Sequence, residues 1–492
     1  MRLARNIVWN AAGIGLPLLI GIAVVPTIVK GLGTERFGFL SIVWMLIGYF
    51  SIFDLGLGRA VTKLAADKLA RHQEDEIAPL ASTALILVFV SGAIVGCLIA
   101  MSAGWIAERV VGNSPALLPE ASTALVCLAI SFPFVLLATI LTGLLEAYQE
   151  FALINAVRVP LGILVLVAPL MVLPFSRNLA VITGVLAAIR ILNAGVFALL
   201  TLRVVRGLRT KAFVFYRELV RPLLAFGGWL TVSNVVSPLM VYFDRLLIAA
   251  MLGSAAVAYY TVPYEMLTRL WVIPMAIQGV LFPTFATLHG QNSARIVAVF
   301  ARSSEITLLL MMPAFLAVML LAHEGLSLWL GPAFAANSSL VAQILMVGVL
   351  VNSLARAPFG FIQAAGHARW TAMLHLVELP AYALCLWIFV SRAGIVGAAY
   401  AWTGRTIVDT ALLYVLAVRL ERKLTWSALR DMVLLCFTCL AVASLGWFAK
   451  DLILRIVLVV IPATACGLVL LKSLGPVIWS MARKPRSDGT AG

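Results

Sequence analysis

RPLLAFGGWLTVSNVVSPLMVYFDRLLIAAMLG (221–253) runs directly into SAAVAYYTVPYEMLTRLWVIPMAIQGVLFP (254–283). Each segment is long and too apolar for a soluble domain, yet together they carry Asp244, Arg245, Glu265 and Arg269. A charge at membrane depth costs at least about 2.5 kcal/mol, so it faces a bundle interior or a water-filled path. Glu265 and Arg269 are spaced i, i+4 and share one helix face. Two readings follow: the charges line a polar path, or they pair and lock two helices together.

The rest of the chain has the same character. Of 492 residues, 63% are hydrophobic and only 12% charged, against about a quarter charged in soluble domains. Long apolar runs, rather than short alternating ones, specify membrane helices and exclude a barrel. Fourteen runs are long enough to span, at about 7–29, 37–57, 80–103, 120–143, 153–174, 179–202, 222–251, 256–285, 297–322, 338–357, 371–390, 394–418, 431–449 and 453–480. The seventh and eighth are over-long, and Pro238, Pro263 and Pro274 offer them places to bend. The first run ends Val29-Lys30-Gly31 without a small-residue cleavage site, so it is read as a retained helix.

The formal net charge of +15 does not call for nucleic acid, because the basic residues lie in short loops. With the N-terminus inside, Arg59, Lys63, Lys68 and Arg71, the connector RVVRGLRTKAFVFYRELVR (203–221) and the tail all fall on the inner side. That bias expects cytoplasmic termini and an even number of spans. The connector serves as a topology anchor, or lies on anionic lipid headgroups. The expected organisation is a six-helix lobe (1–202), the connector (203–221), a second six-helix lobe (222–418), and two extra helices with a short basic tail (419–492).

An offset of 220 residues relates the halves. Trp9 falls on Trp229, Leu32-Gly33 on Leu252-Gly253, Phe39 on Tyr259 and Trp44 on Tyr264. Arg190 in AAIRILNAG and Arg405 in WTGRTIVDT both sit in mid-span, about 16 Å from the outer surface at 1.5 Å per residue. Asn193 and Asp409 follow one turn later. Six helices per repeat keep both halves in one orientation, and transporters of that kind bind substrate between the halves near mid-membrane.

The chemistry is that of binding and transport. No GxxxxGK[ST] loop, HExxH or Ser/His/Asp set is present, and the outer loops are short for a membrane polymerase or ligase. The six cysteines lie in apolar runs, and neither a metal nor an organic cofactor is expected. Transport would be secondary. Arg190, Arg245, Arg269 and Arg405 present guanidinium forks suited to phosphate. Asp54, Asp244, Glu265, Asp409 and Glu378 would balance them or bind a coupling H+ or Na+. Asp54 in FDLGLGRAVTK is alternatively a helix-end cap beside Arg59 or Lys63. His375 and Glu378, spaced i, i+3, are either a proton relay or a helix–helix hydrogen bond.

LGTERFGFL, FDLGLG, the FDRLLI run, AVAYYTVPYE and VLFPTF occur in this order. The set resembles bacterial polysaccharide-biosynthesis flippases of the multidrug/oligosaccharidyl-lipid/polysaccharide exporter superfamily, across nearly the whole chain. The resemblance implies an all-α membrane protein in which two lobes form a V around a cationic cavity. Spans one, two, seven and eight would line it, placing Arg245, Arg269, Asp244 and Glu265 there. The implied cargo is an undecaprenyl-diphosphate-linked oligosaccharide, flipped across the bacterial inner membrane by alternating access. The implied protein is a monomer working beside the polymerase and glycosyltransferases of its pathway. The rival readings are a flippase for a lipid-linked peptidoglycan precursor and a multidrug/cation antiporter.

Overall fold

In a computed structural model, residues 20–49, 54, 56–111, 114–205, 207–210, 214–288, 293–424, 426–449 and 451–483 are described. The start of the first span, including Trp9, and the end of the tail lie outside them. All regular structure among the described residues is helical. The chain packs into two compact units, Met1–Thr261 and Val262–Gly492. That division lies beyond the connector expected to separate the halves, because the helix after the connector packs on helices of the first unit.

The first unit contains α1 (Ile20–Leu32), α2 (Thr34–Tyr49), α3 (Leu57–Ala70) and α4 (Ile77–Val111). It continues with α5 (Leu118–Ala147), α6 (Phe151–Val172), α7 (Leu179–Val204), the short α8 (Gly207–Thr210) and α9 (Arg217–Leu252). α5 packs against α4 and α7, while α3 and α4 both pack on α9. α7 starts where the Asn178 side chain accepts the Ala180 N–H at 2.8 Å, satisfying one of the amides a helix start leaves free. Near that helix start, Arg36 grips the Glu120 carboxylate through two hydrogen bonds (3.1 and 2.9 Å). Glu120 also accepts the Leu179 N–H, so one carboxylate joins α2, α5 and the start of α7.

α10 (Ser254–Thr268) crosses the boundary between the units. The second unit then holds α11 (Val272–Leu288), α12 (Ser293–Leu330), α13 (Pro332–Ala364), α14 (Ala368–Leu420), α15 (Trp426–Phe448) and α16 (Leu452–Arg483). α13 is central, packed on α11, α12 and α14, and α15 and α16 lie against α12. Arg455 of α16 bonds Glu324 of α12 at 2.9 Å.

Where the residues of the spans read from the sequence are described, they are mostly helical, and the breaks have local causes. The eighth span is interrupted by a single 3-10 turn, Arg269–Trp271. Pro274 follows directly; it has no N–H to give the Leu270 carbonyl, and its ring crowds that position. α14 joins two spans across Ala393 and Gly394, where Gly394 adopts φ 57°, ψ −137°, a conformation open to glycine and few other residues. Gly33 and Gly253, aligned by the 220-residue offset, have φ of 81° and 83° and both separate consecutive helices.

By length and composition, eight helices among the described residues can cross a membrane. On α4, Val90, Ile94, Leu98, Met101 and Trp105 are exposed at spacings of three or four. Such a stripe belongs against lipid, and this is a multi-pass membrane protein.

Candidate functional site

Each unit has its own set of charges sunk among apolar helices. In the first, a cavity of about 400 Å³ opens between α3, α5, α6 and α7. Arg59, Arg158 and Arg190 line it with Asp54, Glu146 and Asn193. Three guanidinium groups therefore face two carboxylates. Arg158 and Glu146 stand 3.7 Å apart. Asp54 is buried and accepts the N–H of Gly56, the residue just before α3, at 2.7 Å. Arg190 enters from the middle of α7, and neither its Nε nor the Asn193 Oδ1 has a hydrogen-bond partner. Thr62, Thr139 and Thr142 also line the cavity, but their hydroxyls donate to carbonyls of their own helices. The arginines are left as its main donors.

Asp244 and Arg245 behave differently. They are 0% and 1% exposed, sealed in the first unit. Tyr260 donates to Asp244 Oδ2 at 2.6 Å, the Arg245 amide donates to Oδ1 at 2.7 Å, and the Arg245 guanidinium lies 4.6 Å from the Tyr242 ring centre. This is the locking arrangement the sequence left open. Glu265 and Arg269 do pair, at 3.7 Å, with side chains 43% and 52% exposed in the second unit.

Inside the second unit, α13 and the two halves of α14 bring together Arg356, His375, Glu378, Arg405 and Asp409. Arg405 lies 3.7 Å from Glu378, and His375 lies 3.4 Å from Asp409. The ion pairs therefore cross from one half of α14 to the other. They do not run along one helix from His375 to Glu378 or from Arg405 to Asp409, because the fold at Ala393–Gly394 brings the two halves together. The Arg405 guanidinium is 5.3 Å from the Tyr382 ring, and Arg356 is 5.6 Å from Trp271. Trp271 and Tyr264 in turn pack on the buried Trp402. Two arginines meet two carboxylates, so this cluster is balanced before His375 is counted. The sequence reading omitted Arg356. Its position in SLARAPF, within an apolar run, was the clue, by the same argument that found Arg405.

These features define a polytopic helical membrane protein with a polar site inside each of two helical units. Comparison with known proteins narrows that class. The family described as "Polysaccharide biosynthesis protein" matches residues 3–289. The "Putative O-antigen transporter" of Shigella flexneri is 31% identical over 425 residues, covering 85% of this chain and 99% of that one. The "Uncharacterized membrane protein EpsK" of Bacillus subtilis is 24% identical over 407 residues, 80% of this chain and 77% of its own. The chain belongs to the polysaccharide biosynthesis protein family. Among solved structures, the lipid II flippase MurJ in an inward closed conformation superposes with a TM-score of 0.71 at 11% identity, over 95% of this chain and 99% of MurJ. An inward-facing multidrug resistance MATE transporter of the MOP superfamily gives 0.68 at 15%, over 85% of this chain and 95% of its own. At these identities the likeness concerns the fold alone.

Proposed function

We propose that the protein flips an undecaprenyl-diphosphate-linked oligosaccharide across the bacterial inner membrane, by alternating access and with cytoplasmic termini. Family membership and the O-antigen transporter relative supply the substrate class. The observation that carries the reading is the unit-one cavity, where cations outnumber anions and half-buried Arg190 makes no hydrogen bond or ion pair among the described residues. An unneutralised guanidinium at membrane depth is costly to keep unless an anion visits it. A diphosphate supplies that charge, and its oxygens suit guanidinium forks. The same excess of positive charge disfavours a cationic drug as cargo. Arg190 therefore leads the anion-binding set, with Arg269 next by exposure. Arg245 and Arg405 are already engaged.

The balanced cluster of the second unit is our candidate for ion coupling. His375, within ion-pair distance of Asp409, is the side chain type that changes charge near neutral pH, which favours H+ over Na+. A lipid-linked peptidoglycan precursor remains the rival cargo, since its diphosphate would meet the same arginines.

The test is transport of fluorescent undecaprenyl-diphosphate oligosaccharide in proteoliposomes, with and without a proton or sodium gradient. Wild type should translocate it, Arg190→Ala should lose at least about tenfold in rate, and Arg269→Ala should lose less. Full transport by a folded Arg190→Ala protein would refute the cavity as the anion site. Movement of a cationic dye in place of the lipid-linked sugar would refute the flippase. A preference for the peptidoglycan precursor would reassign the cargo.

A further inference from the structure

A second opening in the first unit has the opposite chemistry. It is an apolar groove of about 380 Å³ between α4, α5, α7 and α8, lined by Leu85, Phe89, Val90, Leu141, Ala198 and Leu208 among others. Its single polar lining residue, Thr201, donates its hydroxyl to the Leu141 carbonyl at 3.4 Å. Phe89 and Val90 are exposed, so the groove lies open along its length.

One end of the groove is built by the basic connector. Leu208 closes it from α8. The chain beyond is fixed to α4: Ser82 Oγ donates to the Val214 carbonyl at 2.9 Å, and Thr83 Oγ1 accepts the Tyr216 N–H at 3.1 Å. Ser82 is one helical turn before Leu85, a groove residue. At this end Arg203 and Arg217 are exposed, with no ion pair among the described residues, and Val214, Phe215 and Tyr216 are exposed beside Arg217. Arginines next to exposed aromatics on a membrane helix bundle mark the headgroup level.

We propose that this groove, with Arg203 and Arg217 beside it, forms a binding site for an anionic phospholipid, with an acyl chain in the groove and the phosphate at the two arginines. An apolar slot with no free donor has nothing to offer a sugar or a nucleotide. An acyl chain gains little by leaving the bilayer for it, because lipid is as apolar as the groove. Selectivity therefore comes from the charged end, which commits the site to an anionic headgroup over a zwitterionic one. The site holds whether or not the chain transports a lipid-linked sugar.

The full chain would be purified in neutral detergent and loaded with equal mole fractions of dioleoyl phosphatidylglycerol and dioleoyl phosphatidylcholine. Retained lipid would be counted by native mass spectrometry. One arginine near an anionic headgroup gives about a fivefold preference, so the wild type should retain phosphatidylglycerol at least fivefold over phosphatidylcholine. R203Q/R217Q should bring the two near parity, and R203K/R217K should keep the preference. Ala198→Phe, which fills the groove, should lower retention of both lipids. Equal retention by the wild type, an unchanged preference in the glutamine pair, or unchanged retention in Ala198→Phe would each overturn the proposal. Displacement of phosphatidylglycerol by undecaprenyl phosphate at a lower mole fraction would overturn the phospholipid assignment.

Discussion

The Arg405–Glu378 pair can be tested by a double-mutant cycle. At 3.7 Å, and with an effective dielectric of about 20, two unit charges attract by about 4.5 kcal/mol. Desolvation offsets much of this for an intact pair, but removing one partner from a buried pair costs about 3–5 kcal/mol. The two side chains are 16% and 8% exposed, so water cannot readily replace either partner. The two single variants should differ. Glu378→Gln leaves Arg405 in a cluster that still contains Asp409. Arg405→Met leaves the neighbouring buried carboxylates of Glu378 and Asp409 with only Arg356 to balance them. We expect Arg405→Met to cost about 4 kcal/mol, Glu378→Gln about 2–3 kcal/mol, and both together no more than about 3 kcal/mol. Unfolding of the full chain in mixed micelles by dodecyl sulfate, followed by tryptophan fluorescence, measures all four corners. Losses that add to within about 0.5 kcal/mol would refute the coupling. A more stable Arg405→Met than Glu378→Gln would refute the assignment of Asp409 to the same cluster.

Other substitutions separate structural from functional charges, and the same unfolding assay reads them. Arg190→Met should leave stability unchanged or raise it while transport falls, because it removes a half-buried cation that makes no ion pair among the described residues; a loss of more than about 2 kcal/mol would mean that Arg190 has a structural counter-ion. Tyr260→Phe removes the 2.6 Å hydrogen bond to Asp244 and should cost about 1.5–3 kcal/mol; an unaffected stability would show that the Asp244–Arg245 lock does not need it. Gly348→Ala would drive a methyl into the Trp402 ring at Cζ3 and to 2.9 Å from Thr403 Oγ1, so it should cost at least about 1–3 kcal/mol; a neutral result would mean that buried Trp402 can shift. Arg36→Gln should cost only about 1 kcal/mol, and high salt should shrink the difference, since the Arg36–Glu120 bridge is partly exposed.

The fold was largely legible because apolar run length is a strong constraint in a membrane. Helices lie where the runs are, and the bends fall at Pro274 and at Ala393–Gly394. The site was legible by residue type and only partly by partner. Arg190, Arg405, Glu378, Asp409 and His375 stand out as ionisable groups inside apolar runs. Spacing along one helix then suggested partners three or four residues away. The strongest pairs lie across the fold in α14, which spacing does not encode. Asp244 and Arg245 carry a similar lesson: the sequence shows two charges in an apolar run, while only packing shows Tyr260 and Tyr242 closing over them.

Arg190 and Arg405 both sit in mid-span, in the sixth and twelfth runs of the sequence, yet their surroundings differ. Arg405 has Glu378 at ion-pair distance and a tyrosine ring against it, so its charge is answered within the protein. Arg190 faces a cavity with an excess of cations and makes no ion pair among the described residues. An arginine retained against its own desolvation cost calls for a ligand, whereas one held by a carboxylate calls only for its neighbour. The two mid-span arginines thus meet opposite electrostatic surroundings. On the function proposed above, anion recognition falls to the first unit, and the balanced network around Arg405 is the second unit's candidate for ion coupling. Such an asymmetry suits a transporter that must bind a diphosphate with one set of charges and respond to an ion with another.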